Sequence, residues 1–160
     1  MQASNTKKLI LTIVVFLIIN FGGLAIGGLF TGNGATSDWY LNMNRAPWTP
    51  PGWFFGVAWT TIMICFSVYM ALLWYRVENR NFLLGIFGLQ FLLNVGWNPV
   101  FFYFRNVLLG LFVIVLLTFL IGFFTNRYWK TLKLKSALVL PYLIWLVIAT
   151  SLNAYVYLMN

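Results

Sequence analysis

Five apolar runs, at roughly 9–30, 53–75, 82–104, 107–125 and 136–159, leave this chain few folds to choose from. Each is long enough to cross the roughly 30 Å of hydrocarbon that about 20 helical residues span. In lipid every backbone N–H and C=O must pair within the protein, so segments of this kind are helices. The sequence predicts an all-α membrane protein, a five-transmembrane-helix bundle over 1–160, with one long loop at 31–52. Only 8% of the 160 residues are charged, against about 25% in soluble domains, so little is left for a water-soluble unit. Lys7 and Lys8 give the first run the look of a signal peptide. It is too long for an h-region, and no small-x-small cleavage site follows a short one, so it reads as a retained helix.

The net charge of +8 invites a nucleic-acid reading, but the cations form no single patch. Lys7, Lys8, Arg76, Arg80, Arg127, Lys130, Lys133 and Lys135 fall at alternate connections, and only Arg45 and Arg105 fall at the others. That asymmetry is the positive-inside pattern. In a bacterial cell membrane it puts the N-terminus in the cytoplasm and the C-terminus outside. The partner implied is a lipid bilayer, with no nucleic acid. Cys65 is the only cysteine, so no intrachain disulfide is available and the redox compartment is not readable.

The chemical inventory excludes more than it suggests. There is no histidine, and the two acidic residues, Asp38 and Glu78, lie at opposite ends of the membrane. No carboxylate pair serves acid–base hydrolysis, and no metal ligand set or cofactor motif is present. Gly22-Gly23 and Gly27-Gly28 lie mid-helix without a P-loop lysine. The spans hold no Asp, Glu or His, the groups a proton-coupled pump places at membrane depth.

The third run nevertheless carries a polar stripe. Gln90, Asn94, Trp97 and Asn98 share one helix face at i, i+4, i+7 and i+8. An unpaired amide in hydrocarbon costs several kcal/mol. This face is expected to look into a protein interior or a ligand cavity. Eight tryptophans supply stacking surface and N–H donors for a large, flat, hydrophobic ligand, although packing and interface anchoring account for tryptophans equally well. The 31–52 loop holds Gly32, Gly34, Pro47, Pro50 and Pro51 together with Trp39, Tyr40 and Trp48. It reads as a folded lid or as part of an interfacial aromatic belt. Pro99 is expected to kink the third helix. Gly23 and Gly27 form a G-x-x-x-G face suited to close packing within the monomer.

Three blocks carry a resemblance. Trp39-Tyr40, Arg45-Ala46-Pro47-Trp48-Thr49-Pro50-Pro51, Trp53 and Trp59 form the first. The second is Gln90 to Phe102, read as Q-x(3)-N-x-x-W-x-P-x-F-F. The third is Pro141-Tyr142-Leu143-Ile144-Trp145, followed by Ala149-Thr150 and Leu152-Asn153. Together they resemble the TspO/MBR family, the translocator proteins and tryptophan-rich sensory proteins also called peripheral-type benzodiazepine receptors. The resemblance covers nearly the whole chain.

It implies a five-helix bundle, commonly a homodimer, that binds porphyrins and related tetrapyrroles, cholesterol or synthetic benzodiazepine-type ligands in a cavity capped by the first loop. Protoporphyrin or a related tetrapyrrole is the implied ligand, in a receptor, sensor or carrier. Carried over by position, the ligand-binding candidates are Tyr40 and Trp48 on the lid, Trp59, Asn94, Trp145 and Ala149. The alternative is a light-driven porphyrin-degrading enzyme, in which Trp59 and Trp145 would carry the electron or radical chemistry. Two departures stand out. The family's K-P-x-W is here Arg45-Ala46-Pro47-Trp48, so the lid backbone is expected to differ. The tyrosine and arginine of a proposed cholesterol motif are here Ala154 and Leu158, which makes cholesterol the least supported of the implied ligands.

Overall fold

The structure, a computed structural model, describes residues 2–32 and 34–160. It is helical, with no strand among the described residues. We label the long helices α1 (Gln2–Thr31), α2 (Gly52–Trp74), α3 (Arg80–Asn98), α4 (Val107–Leu132) and α5 (Leu140–Met159). The stretch Val107–Met159 is one apolar helical run of 53 residues, far longer than a bilayer needs at about 1.5 Å per residue. It reverses at Lys133, whose backbone sits at φ 52 and ψ −127, and its two halves pack along each other. Five spans result.

Local chemistry sets the helix ends. Gly32, at φ 55, follows the last residue of α1 in the left-handed conformation that glycine adopts without a Cβ penalty. Pro50 and Pro51 precede α2. Asn79 and Asn106 cap α3 and α4, their side-chain oxygens accepting from Phe82 N at 2.9 Å and Leu109 N at 3.0 Å. Such caps satisfy N–H groups that the helix leaves unpaired. Pro141 stands in the first turn of α5, where its missing N–H costs nothing.

Three expected boundaries shift. The first helix begins at Gln2 rather than at 9. The fourth helix runs past 125 to Leu132, its polar last turns carrying Arg127 and Lys130, long side chains that can reach headgroup level. The fifth begins at Leu140, because Lys133–Val139 is a 3-10 stretch. The kink expected at Pro99 takes the form of a π-helical turn, Pro99–Tyr103, in which Phe104 N bonds to Pro99 O at 2.9 Å. Proline cannot donate to the helical ladder, and a widened turn accommodates the break.

Neighbouring helices close a ring in the order α1–α2–α5–α4–α3. Interhelical hydrogen bonds stitch it: Asn20 Nδ2 to Ser67 Oγ at 2.8 Å for α1–α2, Thr31 Oγ1 to Asn98 Oδ1 at 3.0 Å for α1–α3, and Thr118 with Thr150 at 3.0 Å for α4–α5. Such bonds matter because lipid provides no hydrophobic force between helices. A Cβ on Gly23 would stand 2.5 Å from Phe91 Cε2, and one on Gly27 would stand 2.6 Å from Asn98 Nδ2. The G-x-x-x-G face therefore packs on α3 within the monomer. One half of the ring is solid, filled by Phe66, Tyr69, Met70, Leu83, Phe124 and Tyr142. The half beneath the 31–52 loop is hollow.

Candidate functional site

The loop over this hollow end is folded. Ser37 caps the short helix Asp38–Leu41, accepting from Tyr40 N at 3.3 Å, and a turn at Ala46 closes with Thr49 N on Ala46 O at 2.9 Å. The loop is latched to the end of α5. Asn44 N donates to Asn160 Oδ1 at 3.0 Å, Asn44 Nδ2 to Met159 O at 2.9 Å, and Trp48 Nε1 to Ser151 Oγ at 3.1 Å. Trp39 and Tyr40 rest edge-on against Phe101, with ring centroids 5.6 and 6.4 Å away. Burial pushes the Tyr40 phenol above its ordinary pKa, and the Arg45 guanidinium opposes that shift.

Beneath the loop is a cavity of about 240 Å³. Tyr40 and Thr49 line it from the loop, Phe55 and Trp59 from α2, Asn94, Trp97 and Asn98 from α3, and Trp145, Ala149 and Asn153 from α5. Among the described residues no charged side chain lines it. Five of the six residues expected at a ligand site, Tyr40, Trp59, Asn94, Trp145 and Ala149, thus share one cavity. Trp48 does not. It is 54% exposed and packs edge-on to Tyr155 at 5.4 Å. The Ala46–Thr49 turn, in the segment where the proline is displaced, buries Ala46 and gives Thr49 rather than Trp48 to the cavity. Its indole N–H is committed to Ser151.

The polar stripe on α3 divides by partner. Gln90, fully buried, donates from Nε2 to Tyr142 OH at 2.9 Å and braces α3 against α5. Asn98 accepts from Thr31 and braces α3 against α1. Asn94 makes no side-chain hydrogen bond among the described residues, although it is 9% exposed. Trp97 stacks on Phe101 with centroids 5.0 Å apart and planes at 15°. The π-turn contributes here. A widened turn brings position i+5 back toward the face of i, and Phe102 joins Trp97 and Phe101 on the cavity wall.

Trp97 Nε1, Trp145 Nε1 and Asn153 Oδ1 are buried without a hydrogen-bond partner among the described residues, and all three belong to cavity-lining residues. Each such group costs about 1–3 kcal/mol until something pairs with it. Trp145 is clamped by Phe54 at 5.8 Å and Phe55 at 5.3 Å, and Trp59 meets Tyr142 edge-on at 6.1 Å. The walls are preformed aromatic surfaces, and because those three atoms have almost no accessible surface, Asn94 is the unpaired amide left to orient a guest. Sequence reasoning passed over Asn153, although an asparagine one helical turn after Ala149 lies on the same face. It also passed over Gly23, Leu24, Ile114 and Leu117, cavity-lining residues of α1 and α4 whose types mark only ordinary helix packing.

Comparison with known proteins agrees with this architecture. The sequence profile of the TspO/MBR family matches residues 13–158. The tryptophan-rich protein TspO of Archaeoglobus fulgidus is 32% identical over 157 residues, covering 98% of this chain and 99% of its own. Protein CrtK of Rhodobacter capsulatus is 31% identical over 139 residues, 85% of this chain and 84% of its own. The human translocator protein is 29% identical over 135 residues, 82% of this chain and 79% of its own. With five membrane-spanning helices and a match over almost its whole length, the chain belongs to the TspO/MBR family.

Proposed function

We propose that this protein is a membrane receptor or carrier for a flat, hydrophobic ligand of the tetrapyrrole class, held in the cavity beneath the 31–52 loop. The observation that carries the reading is an aromatic-walled cavity that no charged side chain lines among the described residues, with the unpaired Asn94 amide on its wall. A conjugated macrocycle offers faces for Trp59, Trp97 and Trp145 to pack against. Asn94 supplies both donor and acceptor. Relatives named as sensory and translocator proteins fit a receptor or carrier. At about 240 Å³ the cavity falls below the roughly 300–1,000 Å³ of typical ligand sites, so a macrocycle leaves one edge at the mouth or lifts the loop. The homodimer and the cytoplasmic N-terminus belong to the same proposal. The second rests on eight cations at one end of the bundle against two at the other.

Titration of the purified protein with protoporphyrin IX in the dark, followed by tryptophan quenching, tests the reading. Saturable quenching at micromolar ligand is expected. Asn94→Leu should weaken binding by about tenfold, the loss of one buried hydrogen bond. Trp48→Phe should leave affinity within about twofold and lower stability by less than about 1 kcal/mol, because the bond it removes is exposed. No saturable quenching in the wild-type protein would overturn the proposal. The enzymatic alternative has one observation in its favour, that Trp59 and Trp145 line the same cavity. It predicts faster loss of porphyrin absorbance in light than for free dye in detergent.

A further inference from the structure

We propose that Arg45 and Arg105 form a carboxylate clamp at the mouth of the cavity, which selects ligands carrying anionic tails on an apolar ring; this rests on the tetrapyrrole reading above. These are the two cations outside the Lys- and Arg-rich end of the bundle, where the pattern of charge disfavours any. Both lie against the cap. The Arg45 guanidinium sits 5.6 Å from the centre of the Tyr40 ring, and Tyr40 lines the cavity. The Arg105 guanidinium sits 5.7 Å from the centre of the neighbouring Trp39 ring, which packs on the cavity residue Phe101. Stacking on a ring holds a guanidinium in place and leaves its N–H fork free for a carboxylate.

Neither arginine has an acidic partner among the described residues, although Asp38 adjoins Trp39 in the chain. Arg105 adopts φ 52, a left-handed backbone that a non-glycine residue rarely takes. That conformation ends the π-turn, with Asn106 N donating to Val100 O at 3.1 Å, and Lys133 has the same φ where α4 ends. The three-residue connection 104–106 between the π-turn and α4 carries its one cation against Trp39 of the loop. Among the described residues no charged group lines the cavity itself, so an ionised tail on a buried ring finds cations at the cap, at Arg45 and Arg105. Protoporphyrin, an apolar macrocycle with two propionates on one edge, has that shape.

The test compares dark binding of protoporphyrin IX and of its dimethyl ester by the wild-type protein and by Arg45→Gln/Arg105→Gln, in the same detergent. The wild type should bind the diacid about five- to tenfold more tightly than the ester, the scale of two partly exposed ion pairs. That preference should shrink as salt is raised. The double variant should lose the preference while its affinity for the ester stays unchanged. Equal preference in wild type and variant would overturn the clamp while leaving the cavity reading intact. Failure of both porphyrins to bind the wild type would instead overturn the cavity reading. Both side chains are exposed, so the variant is expected to fold, and unchanged ester affinity reports that it has.

Discussion

Gly27→Leu is expected to destabilise the bundle by about 2–3 kcal/mol, the upper range for forcing side-chain volume into a packed contact. A Cβ at Gly27 would already stand 2.6 Å from Asn98 Nδ2 and 3.3 Å from its Cγ. Leucine would push Asn98 away, separate α1 from α3 and break the 3.0 Å bond from Thr31 Oγ1 to Asn98 Oδ1. Helix propensity acts in the opposite direction, since leucine is the better helix former by up to about 1 kcal/mol. Gly22→Leu isolates that effect, because a Cβ there meets nothing within 4 Å. Unfolding in mixed detergent should place Gly22→Leu at or above wild type and Gly27→Leu well below it. Equal midpoints for the two would show that α1 and α3 do not approach as closely as described.

The second large effect is expected at the brace between α3 and α5. Tyr142→Phe removes the hydroxyl that accepts from Gln90 Nε2 at 2.9 Å. Gln90 is 1% exposed and its Oε1 already lacks a partner, so the variant leaves a whole amide unsatisfied in an apolar interior. The expected cost is about 1–2 kcal/mol, between the penalty for stranding a buried polar group and the smaller values typical of membrane interiors. Gln90→Leu should cost less, since it removes the unpaired oxygen together with the donor. The pair Gln90→Leu/Tyr142→Phe should recover most of the loss, because exchanging both partners for apolar groups leaves nothing unpaired. Strictly additive losses in this cycle would mean that the two residues do not interact. Trp59 rests edge-on against Tyr142, so the brace also supports a cavity wall.

Much of this molecule was legible because a bilayer simplifies the reading. Length and hydropathy identify spans. The amides of α3 could be assigned to an inward face, since i, i+4 and i+8 stay aligned on a helix and lipid rejects unpaired amides. What those amides do was not legible. Gln90 and Asn94 are one helical turn apart and chemically alike, yet one is taken by Tyr142 while the other has no side-chain partner among the described residues. The difference lies in what α5 presents at each level.

The loop shows the same limit more sharply. Trp48 is the most motif-like residue of 31–52, but it faces outward because Ser151, 103 positions away, accepts its N–H. Thr49 lines the cavity in its stead.

By itself the sequence determined the class, the number of spans, the face of α3 that turns inward and the family, since these depend on hydrophobicity and short-range periodicity. Tertiary structure alone decided that Thr49 rather than Trp48 faces the cavity, that the π-turn after Pro99 adds Phe102 to the wall, and that Arg45 and Arg105 meet the two neighbouring aromatic rings of the cap. Those outcomes depend on contacts between residues distant in the chain, and local pattern carries no record of such distances.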